Sequence, residues 1–181
     1  MTDTASLDRY EAVLVGGLVK VCRGASLLGS ELLDCPDLEQ WWNDCAMKDY
    51  VADAVINFND YPDAAIGFAA YLGMGAAYRW DACWSPSMKY SEFLGPHGFD
   101  DMDEFITGPL MHLSDGHVGR LRECLLSCSE AARGLISHEG VETQTELGFY
   151  ILARTYTVMF RLGASLELYR QGYKKVALPV K

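Results

Sequence analysis

The segment from residue 79 to residue 104 holds the densest collection of aromatic and ionisable side chains in the sequence. A ligand site needs apolar walls with a few converging polar groups, and functional residues often lie on loops beside rigid elements. If the protein has a small-molecule site, the sequence predicts it here, and His97, close to several carboxylates, could act as a base. The interpretation that the sequence favours is structural, with the acids capping a short helix and the aromatic rings covering the end of a helical bundle, because the segment matches no catalytic motif. The predicted ligand-binding residues of the segment are Arg79, Trp80, Asp81, Trp84 and His97.

Two further arginines, Arg154 and Arg161, stand out because the helix predicted around them is otherwise apolar. They are seven residues apart, so both point from the same helical face. Guanidinium groups bind carboxylates and phosphates bidentately. Arg154 and Arg161 therefore join the predicted site, at the place where the 79–104 segment would meet the last helix. Internal salt bridges are nevertheless the favoured interpretation of these arginines, since buried arginines are seldom left unpaired.

The histidines and cysteines form no recognisable metal-binding motif. His112 and His117 are five residues apart and so lie on different faces of a helix. Cys124 and Cys128 share a face, and His117 lies seven residues before Cys124. A structural zinc site would need a second closely spaced ligand pair, which the sequence lacks. We predict neither a metal ion nor another cofactor.

Catalytic signatures are equally scarce. The chain contains no Gly-x-Ser-x-Gly elbow and no Gly-x-x-x-x-Gly-Lys phosphate loop. No catalytic residue is therefore predicted, and a non-enzymatic protein is favoured.

The apolar residues repeat at helical spacing in every long segment, and no hairpin signal separates two alternating runs. We therefore predict an all-α antiparallel bundle of about five long helices, in one domain covering residues 1–181, with a short extra helix near residues 100–107. The clearest repeat is a heptad-like seam running from Val118 to Leu135. The predicted helices begin near Ser6, at Pro36, at Pro62, after Ser114 and at the capping box Thr143–Glu146.

Two local features of the sequence predict how the helices pack. Gly67, Gly73 and Gly75 are costly inside the third helix, which favours close approach of another helix over the alternative of a ligand slot. The Gly16-Gly17 pair of the first helix is the candidate neighbour. Adjacent Trp41 and Trp42 lie about 100° apart on a helix, so one of them is expected at an interface or groove.

Charge and composition exclude several classes of partner. The chain has 15 basic and 25 acidic side chains, a net charge of −10 and 50% hydrophobic residues. This acidity argues against nucleic acid and anionic membranes as partners. The N-terminal sequence lacks the basic region of a secretory signal, so we expect a cytoplasmic protein with six free cysteines.

Three functions remain open. The favoured one is a self-associating helical module, a homodimer or a binder of a protein partner, supported by the aromatic residues and the seam. The second is a small-molecule-binding protein or small enzyme with its site around residues 79–104. The third is an acidic inhibitor or adaptor of a basic partner, supported by the net charge alone.

Overall fold

Five long helical runs account for most of residues 3–181, the part of the chain that the computed structural model describes. About 73% of these residues are helical and none of them belongs to a strand, which confirms the all-α prediction. A π-helical turn over Trp42–Ala46 joins the second and third helices into one run. The helices are α1 (Thr4–Gly24), α2 (Pro36–Trp41), α3 (Met47–Asn57), α4 (Pro62–Cys83), the short α5 (Met102–Phe105), α6 (Asp115–His138) and α7 (Glu146–Arg170).

Local sequence signals set most of the helix starts. Pro36 and Pro62 occupy the first positions of α2 and α4, where a missing N–H costs nothing. The hydroxyl of Ser114 caps α6 by accepting a hydrogen bond from the backbone N–H of His117. These three starts agree with the sequence prediction.

The predicted N-terminal capping residue of α7, Thr143, is two residues too early. The capping hydroxyl belongs to Thr145, which accepts from the N–H of Gly148 at 3.1 Å. Residues 142–145 form a turn in which the N–H of Thr145 donates to the carbonyl of Glu142. This turn uses the backbone around Thr143 before the helix begins, and α7 therefore starts at Glu146.

Helices α4 and α6 run in opposite directions. Asp63 pairs with Arg133 at 3.5 Å, and one turn later on α4 Gly67 faces Ser129, one turn earlier on α6. By contrast, α4 and α7 run in the same direction, because Ala70 lies against Gly163 and Trp80 lies against Tyr173. The chain therefore reverses between consecutive helices, which brings α4 and α7 side by side in parallel.

The close approach predicted from the glycines occurs, but with a different partner. A Cβ on Gly73 would overlap the carbonyl oxygen of Phe160, and a Cβ on Gly163 would overlap that of Ala70. The glycines thus allow the backbones of α4 and α7 to touch. Gly16 and Gly17 of α1 have open space around them, so the prediction that α1 is the partner is wrong.

Trp41 and Trp42 are both buried, and Trp42 also lines a cleft with Thr157, which is the groove expected beside one of the two tryptophans. The indole N–H of Trp41 donates to the carbonyl of Met88 at 2.8 Å, and that of Trp42 donates to the hydroxyl of Thr157 at 3.0 Å. Their helical run is covered on two sides, by the 84–93 segment and by α7. Adjacent residues can therefore enter the core in different directions.

The heptad-like seam of α6 packs inside the chain. Leu121, Leu125, Cys128 and Ala132 are buried and belong to the same core as α1 and α4.

Among the described residues, no helix is long and apolar enough to cross a membrane.

Candidate functional site

Two of the predicted ligand residues, the buried Trp80 and the exposed Asp81, contact the C-terminal segment of the chain. Trp80 is 1% exposed, and its indole N–H donates to a carboxylate oxygen of Asp37 at 2.9 Å. The ammonium group of Lys181 lies 4.2 Å from the centre of the Trp80 ring. The carboxylate of Asp81 accepts a hydrogen bond from the hydroxyl of Tyr173 at 2.6 Å.

Arg79 and His97 have separate carboxylate partners. Arg79 pairs with Glu92 at 2.9 Å, and its guanidinium lies 5.2 Å from the centre of the Phe93 ring. Hydrogen bonds from the Lys89 backbone and from Arg79 lower the pKa of Glu92. His97 pairs with Asp101 at 3.1 Å, and its side chain is 81% exposed. The half-buried Trp84 ends α4 without joining either pair.

The ion-pair partners of Arg154 and Arg161 lie on α1, on α2 and between them, rather than in the 79–104 segment. Arg154 pairs with Asp8 at 3.0 Å and with Glu11. Arg161 has three carboxylates around it. These contacts are the internal salt bridges that the sequence favours. The three carboxylates beside Arg161 belong to Glu11, at 3.7 Å, Asp34, at 3.2 Å, and Glu39, at 3.4 Å.

A cleft of about 790 Å³ opens beside Arg161, between the outer face of α1 and the loop that follows it. The C-terminal segment closes one side, because the N–H of Leu178 donates to the carbonyl of Asp34 at 2.8 Å. The volume lies within the range of ligand pockets, roughly 300 to 1,000 Å³. The predicted residues of the 79–104 segment do not line this cleft. Its apolar wall consists of Val15, Gly16, Val19, Leu32 and Val176.

The polar rim of this cleft, hereafter the α1 cleft, carries more positive than negative groups. Lys20, Arg23 and Arg161 face Glu31 and Asp34. Within residues 3–181, neither Lys20 nor Arg23 forms an ion pair with a carboxylate. Because Arg161 already has three carboxylate partners, Lys20 and Arg23 are the cations of this rim that are open to a ligand.

Sequence reasoning found Arg161 and missed the other residues of the cleft. A signal for them was present, because Gly16, Lys20 and Arg23 are spaced four and three residues apart and share one helical face. The contribution of Leu32 and Val176 has no local signal, since these residues are more than 140 positions apart.

A second group of reactive side chains is buried on the inner side of α1. Cys22 contacts both cysteines of α6, with its sulfur 3.5 Å from that of Cys124 and 3.7 Å from that of Cys128. All three are buried free thiols. His117, considered as a companion of these cysteines, lies outside the group and contacts Arg120 at 3.1 Å.

The cleft and the thiol group are therefore two places where this fold gathers chemically useful side chains. Neither follows a motif that the sequence displays in one stretch. Comparisons of the chain with protein-family models, with curated proteins and with solved structures find no match.

Proposed function

We propose that the protein binds a small amphipathic anion, with an apolar body and a carboxylate or phosphate group, in the α1 cleft. The observation that carries this proposal is the position of two unpaired cations, Lys20 and Arg23, at the rim of a cleft that has an apolar wall. The function is one of binding, in line with the absence of a catalytic motif from the sequence.

The apolar body of such a ligand would lie against Val15, Val19 and Val176, with Gly16 leaving room at the centre. Removal of this apolar surface from water would supply most of the affinity, at roughly 25 cal/mol per Å² before the costs of association. The anionic group would accept charge-assisted hydrogen bonds from Lys20 and Arg23. Arg161 is engaged by its own carboxylates, and we assign it to the wall rather than to the ligand.

A side chain that projects into the cleft should weaken binding without harming the fold. Gly16→Leu puts a side chain into the cleft, and we expect the Kd for anilinonaphthalene sulfonate, an apolar anion, to rise at least tenfold, about 1.4 kcal/mol. A Cβ at Gly16 meets nothing within 4 Å, and leucine is a better helix former than glycine. Fluorescence titration measures the Kd.

Gly17→Leu is the matched control, because Gly17 has the same open surroundings but does not line the cleft. It should bind the dye within about twofold of the wild type, a difference of about 0.4 kcal/mol. Wild-type affinity in Gly16→Leu would place the dye elsewhere and contradict the proposal. The double variant Lys20→Ala/Arg23→Ala should bind the sulfonate dye more weakly than the wild type does. Its affinity for the uncharged analogue phenylnaphthylamine should be unchanged.

Self-association is a second candidate, because the first turns of α7 expose large apolar side chains. Leu147, Phe149 and Tyr150 are 39%, 47% and 40% exposed. Phe149 and Tyr150 are in edge contact, with ring centres 6.0 Å apart. The buried tryptophans and the α6 seam are used inside the chain, so this α7 surface is now the main support for a dimer.

We expect a homodimer at tens of micromolar that buries more than about 1,200 Å². Phe149→Asp/Tyr150→Asp should convert it to a monomer, because each carboxylate would be desolvated at the interface. Light scattering measures the mass. The control is Ile56→Asp, which changes an exposed apolar residue on α3, outside this surface. A monomeric wild type would exclude the dimer.

A further inference from the structure

Three of the six cysteines come together in the core, although they are far apart in the sequence. Cys22 lies near the end of α1, and Cys124 and Cys128 lie one turn apart on α6. Their sulfur atoms are all within 4.8 Å of one another, and the exposed fractions of the residues are 0%, 5% and 0%.

The sulfur positions fit a bound metal ion better than a disulfide. An ion about 2.3 Å from each of three sulfurs holds those sulfurs about 3.8 to 4.0 Å apart. The observed distances of 3.5 and 3.7 Å from Cys22 need to lengthen by only a few tenths of an ångström. A disulfide requires sulfur atoms about 2.05 Å apart, so any pair would have to close by more than 1 Å.

We propose that Cys22, Cys124 and Cys128 bind one soft metal ion, such as Cu(I), through three sulfur ligands. Soft thiolate ligands select such ions. Zinc in structural sites takes four ligands. Within residues 3–181, no histidine or carboxylate joins the three sulfurs, and all three cysteines are buried.

Binding would release to the solvent the proton of each thiol that becomes a thiolate. The site is distinct from the α1 cleft. Cys22 faces the core, whereas Lys20 and Arg23 on the same turns of α1 face the cleft. Failure of one proposal therefore leaves the other untouched.

The test is an anaerobic titration of the full chain with Cu(I), supplied as a competing bicinchoninate complex. We expect one ion per chain, and X-ray absorption of the loaded protein should show three sulfur neighbours at about 2.3 Å. A shell of nitrogen or oxygen atoms, or no bound copper, would overturn the proposal. Zn(II) should bind at least a hundredfold more weakly, and equal affinity would refute the assignment to a soft ion.

Variants locate the site. Cys128→Ala should lose the bound ion, and the matched control Cys83→Ala, at an exposed cysteine outside the group, should retain it. Retention in Cys128→Ala would overturn the proposal. If Cys128→Ala does not fold, the wild-type absorption spectrum still decides the number of sulfur ligands. A disulfide among the three cysteines in protein isolated under reducing conditions would also count against the metal site.

Discussion

Gly163→Ala is expected to destabilise the fold by about 3 kcal/mol or more. The added methyl group would overlap the backbone carbonyl of Ala70, which is held within α4 and cannot rotate away as a side chain could. Relief requires α4 and α7 to separate along the contact that forms the centre of the core. Urea denaturation followed by circular dichroism measures the free energy of unfolding.

Gly73→Ala should cause a loss of similar size, since its methyl group would meet the carbonyl of Phe160 from the other side of the same crossing. The matched control is Gly17→Ala, a helical glycine with open space around it. There the exchange should stabilise the protein by about 0.5 to 1 kcal/mol. If the free energy of unfolding of Gly163→Ala lies within about 1 kcal/mol of the wild-type value, the backbone contact between α4 and α7 is not present in solution.

Arg161→Ala should cost about 2 kcal/mol at pH 7. This value lies below that of a fully buried pair, because the side chain of Arg161 is 26% exposed and its three partners are more exposed still. Without the guanidinium, the carboxylates of Glu11, Asp34 and Glu39 repel one another. The control Arg133→Ala removes a more exposed arginine paired with Asp63 and should cost less than about 1 kcal/mol.

The loss of unfolding free energy caused by Arg161→Ala should become smaller as the pH falls. Burial raises the pKa of Glu39, the nearby charge of Asp34 adds to this rise, and Arg161 opposes it. Removing Arg161 therefore moves the folded-state pKa of Glu39 further above its unfolded value, near 4.3. A carboxyl with a raised folded pKa stabilises the fold below the unfolded pKa and loses that contribution as the pH rises through the folded pKa.

The difference in unfolding free energy between wild type and Arg161→Ala should accordingly be smaller at pH 4.5 than at pH 7. Urea midpoints at the two pH values measure it. Adding Glu39→Gln should recover part of the loss at pH 7, since the amide cannot ionise. A difference that is constant or grows on acidification would show that Arg161 acts through packing rather than charge.

The sequence alone was sufficient for the helices and for most of their boundaries. Pro36, Pro62 and Ser114 act within one turn of their own positions, and apolar spacing depends on neighbours three and four residues away. Such signals are complete in a short stretch of chain. The same locality explains why the glycines of α4 correctly predicted a close helix crossing without identifying its partner.

Only the tertiary structure decided which surfaces meet. Gly73 packs on α7 rather than α1, and Arg161 faces Glu11 rather than the 79–104 segment, because the direction and register of whole helices determine these pairs. Cys22 joins Cys124 across 102 positions for the same reason. The α1 cleft likewise requires residues near both ends of the chain to fold together. Contacts of this range depend on how the core packs as a unit, which no local pattern encodes.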